Sequence, residues 1–194
     1  MISAPSSGSG KTLITCGLLN LFGEEGSVKA FKCGPDYIDP LFHQQVLGIT
    51  SQNLDSFFMD DEALVNTCFG SDADITVIEG VMGLFDGLGS VSSKGSAYDI
   101  AHITGTPIIL VMDAKGIGQT LVELINGLVM ADSYHLIKGV ILNRTTKNFY
   151  ETIAPLIKER TGIEPLGFIP VMKQAYVPSR HLGLVLPGEI ENIK

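Results

Sequence analysis

The sequence predicts an α/β fold in which a mainly parallel sheet lies between two layers of helices. Short β-branched runs alternate with amphipathic stretches of helical length, which is the pattern of βαβ units on a parallel sheet. Between the first apolar run and the first helical stretch, residues 6–12 read SSGSGKT, with the Gly-Lys-Thr ending of a phosphate-binding loop. Together these observations predict a three-layer sandwich of the P-loop NTPase type.

The strands and helices follow from the spacing of apolar residues along the chain. β-branched runs predict strands at 2–4, 28–31, 75–78, 108–112, 137–142 and 166–169. Apolar residues three and four apart predict helices at 11–22, 40–47, 61–69, 96–103, 117–130 and 149–160. Ser96 followed by Asp99 has the pattern of an N-cap with an acidic first turn, which marks the start of the fourth helix. Residues 80–95 are rich in glycine and serine and long for a connection, so they predict a functional loop.

The composition is that of an ordinary globular chain of 194 residues, 45% hydrophobic and 18% charged. Its net charge of −8 and the lack of any Lys/Arg run argue against binding to nucleic acid or to an anionic membrane. The apolar runs are far shorter than a bilayer span and no targeting segment is recognisable, so a cytoplasmic protein is expected. Cys16, Cys33 and Cys68 are too widely spaced for a disulfide framework or a paired zinc signature.

The phosphate-binding loop is the strongest functional signal in the sequence. Gly8 and Gly10 let the backbone curl so that successive N–H groups face an anion, and the following helix adds the positive end of its dipole. Lys11 is expected to contact the β- and γ-phosphates, and the Thr12 hydroxyl to bind Mg²⁺. Pro5 stands where the usual pattern has its first glycine and removes one N–H donor. The predicted nucleotide contacts of this loop are Ser7, Gly8, Ser9, Gly10, Lys11 and Thr12.

Carboxylates that follow two predicted strands are candidates for the chemistry of the site. Phosphoryl transfer needs a hard oxygen ligand for Mg²⁺, and Glu79 ends a buried strand at the edge where parallel sheets bind ligands. The segment KCGPDYIDP brings Lys32, Asp36 and Asp39 together on a chain stiffened by two prolines, with His43 one turn further along. The aspartates are interpreted as Mg²⁺ ligands or as orienters of the nucleophile. In the alternative interpretation, they belong to a turn in which Asp39 is the cap.

Several motifs together resemble one known family. They are APSSGSGKT, FKCGPDYIDPLFH, NLD at 53–55, VIEGVMGLFDG, ILNR and SRHLGL, and they cover essentially the whole chain. Their combination is similar to the amidoligase domain of the cobyrinic acid a,c-diamide synthases, which are related to dethiobiotin synthetase. The resemblance implies a dethiobiotin-synthetase-like fold, ATP and Mg²⁺ as cofactors, and a corrin-type tetrapyrrole as substrate. Members of the family phosphorylate side-chain carboxylates of the macrocycle, and ammonia then displaces phosphate to leave a primary amide.

The resemblance also implies roles for individual residues. Those expected to act in catalysis are Lys11, Lys32, Asp36, Asp39 and Glu79. Those expected to hold the metal ion are Thr12, Asp36 and Glu79. Asn143 is expected to bind the adenine through its amide, although an asparagine that closes a strand is also common in turns. Residues 82–93 are expected to form a lid that moves at Gly83 and Gly87, and Arg180 and His181 fall in a segment shared with the family.

The family normally obtains its ammonia from a C-terminal class I glutaminase domain. The present sequence is expected to form a single ATP-binding amidoligase domain over 1–194 without that glutaminase, because no cysteine stands in the Gly-flanked strand-to-helix elbow that the nucleophile needs. Activity with free ammonia is therefore expected.

Three alternatives to cobyrinic acid amidation stay open at this point. The same chemistry could act on nickel-sirohydrochlorin or another corrinoid, or the chain could be a noncatalytic P-loop ATPase module. Positioning ATPases of the division-site and partition type fit less well, since they carry an additional lysine where Ser6 stands here. The oligomeric state is also open, with a homodimer as one alternative.

Overall fold

The computed structural model describes residues 1–70, 72–172, 179–180 and 183–184. Its strands are β1 (Ile2–Ser3), β2 (Val28–Cys33), β3 (Ser51–Leu54), β4 (Ile75–Glu79), β5 (Ile108–Asp113), β6 (Ile137–Asn143), β7 (Glu164–Ile169), β8 (Ser179–Arg180) and β9 (Gly183–Leu184). Its helices are α1 (Lys11–Glu25), α2 (Ile38–Leu47), α3 (Asp61–Phe69), α4 (Ala97–Thr104), α5 (Thr120–Ala131) and α6 (Lys147–Thr161), with a short 3₁₀ turn at Leu88–Ser90. In these described parts, no helix is both long and apolar enough to cross a membrane.

Seven of the strands form one sheet in the order β3-β2-β4-β1-β5-β6-β7. Every neighbouring pair in that sheet is parallel, and β8 and β9 form a separate antiparallel pair. The central position belongs to the shortest strand, β1, whose Ile2 pairs with Glu79 on one side and Ile109 on the other. The predicted α/β fold with a mainly parallel sheet is therefore confirmed.

The sheet is buried on both faces by two separate hydrophobic cores. Adjacent residues of one strand point to opposite faces, so Phe31 and Ile78 lie in the larger core while Ala30 and Val77 lie in the smaller one. The smaller core is closed by α1, and the larger core by helices that contribute Leu64, Ile100, Ile125 and Ile157. Burial on both faces explains why these strands read as continuous apolar runs.

Four predicted strands stop one or two residues too early, and the residues left out are polar or small. The structure extends them to Cys33, Glu79, Asp113 and Asn143. In these strands, parallel pairing continues beyond the apolar run into polar residues. Lys32 pairs with Glu79, and Asp113 pairs with Asn143. The sheet edge that follows the carboxyl ends of these strands is consequently lined with chemically active side chains.

The start of the fourth predicted helix is confirmed. Ser96 is the N-cap of α4 and its hydroxyl accepts a hydrogen bond from Asp99 N at 3.2 Å. Helix α2 begins at Ile38, two residues before its predicted start, where Asp36 Oδ1 accepts a hydrogen bond from Ile38 N at 2.9 Å. Asp36 thus stabilises the first turn of α2 in the way that a short acidic side chain does at helix starts.

Candidate functional site

The candidate site lies at the carboxyl ends of β1, β2 and β4, where three connections meet. The phosphate-binding loop leaves the central strand β1 and enters α1, as the sequence predicts. Gly8 and Gly10 have φ values of 76° and 99°, in the left-handed region that favours glycine. Ser9 adds a bond from its hydroxyl to the Ser6 carbonyl at 3.0 Å, which closes the loop on itself.

Lys11 is the first residue of α1 and is 7% exposed. Its ammonium group donates to two carbonyl oxygens, Ser6 O at 3.0 Å and Met82 O at 2.6 Å. Burial, together with the nearby Lys32 ammonium, lowers the pKa of Lys11 to about 8. Among the described residues, the Lys11 ammonium hydrogen-bonds to carbonyl oxygens alone. An anion bound beside it would pair with its charge and stabilise the protonated form.

The connection after β4 lies against the phosphate-binding loop, since its Met82 carbonyl accepts from Lys11. Its Leu84 is 1% exposed and its backbone N–H donates at 2.8 Å to the carbonyl of Ala4, the residue that follows β1. A Cβ at Gly83 would overlap the Pro5 carbonyl, and one at Gly87 would overlap neighbouring backbone. Close backbone contact therefore accounts for both glycines, whereas the movement expected of them as lid hinges stays a prediction.

Beside the loop lies an ionic cluster of Thr12, Lys32, Asp39, His43 and Glu79, in which Thr12 is half-buried and the other four side chains are buried. Glu79 is completely buried, and its Oε1 accepts from Thr12 Oγ1 at 2.5 Å and from Lys32 Nζ at 2.9 Å. Lys32 also forms an ion pair with Asp39 Oδ2 at 2.5 Å. His43 Nε2 lies 3.6 Å from Glu79 Oε2. Two strands and two helices thus bring four ionisable groups and one hydroxyl into a single contact network.

Burial and mutual charge shift the pKa values of this cluster in different directions. Burial would raise the pKa of Glu79, but the neighbouring Lys32, His43 and Thr12 groups outweigh it and lower the pKa. Burial and the Glu79 charge raise the pKa of Asp39 above its usual value, against the opposing effect of Lys32. Burial opposes the charged form of Lys32, yet the two carboxylates raise its pKa. Glu79 and Lys32 therefore stay charged at neutral pH.

Some buried polar atoms of the cluster lack a hydrogen-bond partner among the described residues. They are Asp39 Oδ1, His43 Nε2 and Glu79 Oε2. Such atoms are costly unless a ligand or water pairs with them, so they mark a place where polar ligand atoms are favoured. In the part of the chain that the structure describes, no three His, Cys, Asp or Glu side chains form a metal cage. That absence is compatible with Mg²⁺, which protein sites usually bind through one or two side chains plus phosphate oxygens.

The other side of the loop is held by residues from the ends of β5 and β6. Asn143 Nδ2 donates to Ser9 O at 2.9 Å, and its Oδ1 accepts from Arg144 N at 2.9 Å. Arg144 forms a two-pronged ion pair with Asp113 and also donates to Gly8 O at 3.0 Å. Sequence reasoning missed Arg144 and Asp113, although the first lies in the ILNR motif and the second directly follows a predicted strand.

The structure brings together six of the residues named from the sequence and leaves others apart. The six are Lys11, Thr12, Lys32, Asp39, His43 and Glu79. Asp36 is half-buried at the start of α2, and Ser7 is exposed in the loop. Asn143 lies beneath the loop with both amide atoms bonded to backbone, so its contact with adenine stays a prediction. The side chain of Arg180 and the whole of His181 lie outside the described residues.

Comparison with known proteins agrees with this arrangement. Residues 1–184 match the family described as the CobQ/CobB/MinD/ParA nucleotide binding domain. The chain belongs to this family. The match includes the phosphate-binding loop, every member of the ionic cluster and the Asn143–Arg144 pair. The predicted nucleotide-binding P-loop is therefore supported independently of its geometry.

Curated relatives extend along the whole chain. It is 44% identical over 199 residues to a cobyrinate a,c-diamide synthase of Listeria monocytogenes and 43% identical over 198 residues to one of Thermoplasma acidophilum. Both alignments cover 100% of this chain but 44% of the relative. The chain thus spans less than half the length of these relatives, although its likeness to the corresponding part of each is close.

Solved structures show the same fold at much lower identity. A nucleotide-binding protein of Archaeoglobus fulgidus in complex with ADP superposes with a TM-score of 0.55 at 13% identity, over 89% of this chain and 81% of that one. The hydrogenase maturation factor HypB of the same organism gives 0.54 at 15% identity, over 87% and 80%. These similarities support the fold alone, because the identities are low.

Gly10 offers a test of how tightly the loop is held against Asn143. A Cβ at Gly10 would overlap the Asn143 amide nitrogen, while a Cβ at Gly8 would meet no atom within 4 Å. Both positions have left-handed backbone, so each alanine costs about 1–2 kcal/mol for conformation. We expect Gly10→Ala to lower the free energy of unfolding by about 1–3 kcal/mol more than Gly8→Ala, because of overpacking. Urea denaturation measures both losses.

An Asn143→Ala background is the control for this comparison. Removing the amide frees the space beside Gly10, so the two alanine substitutions should then cost similar amounts. Equal losses in the unmodified background would contradict the packing of Asn143 against the loop.

Proposed function

We propose that this domain uses ATP to activate carboxylates of a corrinoid, which ammonia then converts into primary amides. The observation that carries the proposal is the cluster beside the phosphate-binding loop, in which Thr12 and Lys32 donate to one oxygen of buried Glu79. The names of relatives that are 43–44% identical over the whole chain supply the substrate class and the reaction. The product would belong to cobalamin biosynthesis, and the reaction is that of an ATP-dependent carbon–nitrogen ligase.

Mg²⁺ fits the chemistry of the residues at this place. A hydroxyl has one proton and two lone pairs, so Thr12 can donate to Glu79 and still offer its oxygen to a cation. Glu79 adds a fully charged carboxylate whose Oε2 has no hydrogen-bond partner in the described parts of the chain. When bound, Mg²⁺ would neutralise charge on the β- and γ-phosphates. The predicted third ligand, Asp36, makes no contact with Thr12 or Glu79 among the described hydrogen bonds, and its metal role remains a prediction.

Lys11 at the start of α1 and Lys32 on β2 have different roles in this proposal. Lys11 would exchange its two carbonyl partners for phosphate oxygens, as its place at the start of α1 favours. Lys32, kept charged by Asp39 and Glu79, would stabilise the negative charge that develops between phosphate and substrate carboxylate. A substrate carboxylate oxygen would attack the γ-phosphorus while the bond to the bridging oxygen of ADP breaks. Ammonia would then attack the acyl carbon, lose a proton and expel phosphate.

The test is to incubate the protein with MgATP, ammonium and each of three macrocycles: cobyrinic acid, another corrinoid and nickel-sirohydrochlorin. We expect mass changes that correspond to one or two carboxylate-to-amide conversions of cobyrinic acid, with ADP formed in proportion. Hydroxylamine in place of ammonium should trap the acyl phosphate as a hydroxamate. If nickel-sirohydrochlorin alone is converted, it and not cobyrinic acid is the substrate. ATP hydrolysis without any amide or hydroxamate would indicate a noncatalytic module.

The source of ammonia gives a second arm of this experiment. All three cysteines of the sequence are free thiols, and burial raises the pKa of Cys16 and Cys33 to about 12, which suppresses the reactive thiolate. Cys68 is buried and its pKa is also raised. We therefore expect turnover with ammonium salts and none with glutamine. Glutamine-supported turnover by the purified chain would contradict this.

Other expectations from the sequence stay proposals. We propose that a glutaminase domain supplies ammonia, which is compatible with relatives of more than twice this length. We also propose a cytoplasmic location and, as one assembly state, a homodimer.

A further inference from the structure

His43 is a buried titratable group that the proposed reaction leaves without a task. It lies on α2 and is completely buried. Its Nδ1 is 3.1 Å from Ser51 Oγ at the start of β3. Its Nε2 is 3.6 Å from Glu79 Oε2 on β4. The imidazole thus spans the distance between a serine hydroxyl and the carboxylate that is proposed to serve the metal site.

The tautomer of His43 follows from the acceptor that it faces. An ionised carboxylate oxygen only accepts hydrogen bonds, so a bare Nε2 opposite Glu79 Oε2 would set two lone pairs against each other. A proton on Nε2 makes the same approach attractive. In the neutral ring Nδ1 is then an acceptor, and the Ser51 hydroxyl can supply its proton. Ser51 as donor therefore selects the tautomer in which His43 donates toward Glu79.

The two oxygens of Glu79 are held unequally. Oε1 accepts from both Thr12 and Lys32, whereas Oε2 accepts no hydrogen bond among the described residues and has His43 Nε2 nearby at 3.6 Å, an ion-pair distance just beyond that of a hydrogen bond. A carboxylate held at one oxygen can still turn about its terminal bond, because that torsion is soft. A donor at the second oxygen fixes the plane of the group.

We propose that His43 is a positioning residue: with Ser51 fixing its tautomer, it holds Oε2 of Glu79 and keeps the carboxylate aligned for the metal ion of a bound nucleotide. This inference rests on the proposed role of Glu79 at a Mg²⁺–nucleotide site. Groups that orient a ligand side chain from behind typically change metal affinity by about 10–100-fold when removed.

Two matched substitutions test the roles of the two ring nitrogens of His43 separately. A glutamine at position 43 can place an amide N–H near the site of Nε2, whereas the shorter asparagine reaches only the region of Nδ1. We expect His43→Asn to weaken Mg²⁺-dependent ADP binding by about tenfold or more. His43→Gln should recover most of that loss. Calorimetry with ADP, with and without Mg²⁺, measures both, and affinity without Mg²⁺ should stay within about twofold of the parent in each variant.

Ser51 supplies an independent pair of variants. Ser51→Ala removes the hydroxyl that selects the tautomer, while Ser51→Thr retains it. We expect the alanine variant to lose Mg²⁺-dependent affinity and the threonine variant to keep it. This pair decides the question in the same way if His43→Asn does not fold, which thermal melting without ligand would reveal.

The outcomes distinguish this inference from the function on which it rests. A parent protein that binds MgADP, together with His43 and Ser51 variants of unchanged Mg²⁺ dependence, would overturn the role of His43 alone. A parent that binds no MgADP would overturn the proposed function and this role with it. Equal losses of affinity with and without Mg²⁺ would identify His43 as a structural residue and also overturn the inference.

Discussion

Lys11→Ala is expected to weaken MgATP binding by about a hundredfold or more. Truncation of one partner in a buried, hydrogen-bonded charge pair costs about 2–5 kcal/mol, and each 1.4 kcal/mol is tenfold in affinity. The ammonium group of Lys11 is buried at the start of α1 and donates to carbonyl oxygens of two different segments, which holds it where the phosphates of the nucleotide are proposed to bind. Calorimetric titration of the parent and the variant with MgATP measures the loss.

Because the pKa of Lys11 is lowered, MgATP affinity is also expected to depend on pH. Phosphate binds the protonated form of Lys11, and the pKa of Lys11 in the protein without nucleotide is about 8. Affinity in the parent should therefore fall as pH rises through 8, because a growing fraction of Lys11 must first gain a proton. Lys138→Ala is the control, since Lys138 is exposed near the amino end of β6, at the opposite edge of the sheet. Equal affinities of the parent and Lys11→Ala would remove Lys11 from the nucleotide site.

Glu79→Gln should lower ammonium-dependent turnover by about a hundredfold or more, near 2.7 kcal/mol, while the protein stays folded. The amide keeps the size of the side chain but loses the charge that acts with the metal ion in the phosphoryl-transfer transition state. Lys32 keeps Asp39 as an ion-pair partner, so the buried ammonium is not left alone. Turnover and thermal melting are measured together. Glu62→Gln makes the same chemical change on an exposed part of α3 and serves as the control.

Parallel variants at the two aspartates decide between the interpretations that the sequence left open. Asp39 lies in the ionic cluster, so Asp39→Asn should lower turnover strongly. Asp36 accepts a hydrogen bond from Ile38 N, a task that asparagine performs nearly as well. A near-parental rate for Asp36→Asn would remove it from the metal site, and a loss as large as that of Glu79→Gln would place it there. Near-parental turnover of Glu79→Gln would contradict the proposed mechanism.

The sequence predicts much of the sheet because burial on both faces imposes continuous apolar runs. It does not predict β3, whose residues Ser51, Gln52 and Asn53 are polar. This strand lies at the edge of the sheet, and its existence depends on backbone pairing with β2, from Ala30 opposite Ser51 to Cys33 opposite Leu54. Backbone hydrogen bonds leave no mark in the side-chain pattern, so a polar edge strand of four residues is not detectable from apolar spacing.

The candidate site is predictable to the extent that it follows from topology. Parallel strands align their carboxyl ends, which is why Thr12 and Glu79 could be expected to meet although 66 residues lie between them in the sequence. The ion pair of Lys32 with Asp39 depends on how α2 packs against β2, which spacing alone does not determine. The contact of Arg144 with Gly8 depends on a long side chain that crosses between two loops. Such side-chain contacts follow from the three-dimensional packing and cannot be predicted from the spacing of residues in the sequence.

The short central strand β1 has a consequence for how the molecule is made. Its Ile2 pairs with Glu79 and Ile109, so the strand that carries the phosphate-binding loop finds neither neighbour until β4 and β5 have been synthesised. Bringing such distant segments together lowers the entropy of the chain before the strand contacts contribute any favourable free energy. Non-local pairing of this kind therefore slows folding. We expect the loop, although it is synthesised before β2 to β7, to be among the last parts to become ordered. Pulse-labelled hydrogen exchange would show this as late protection of the backbone amides in residues 6–12.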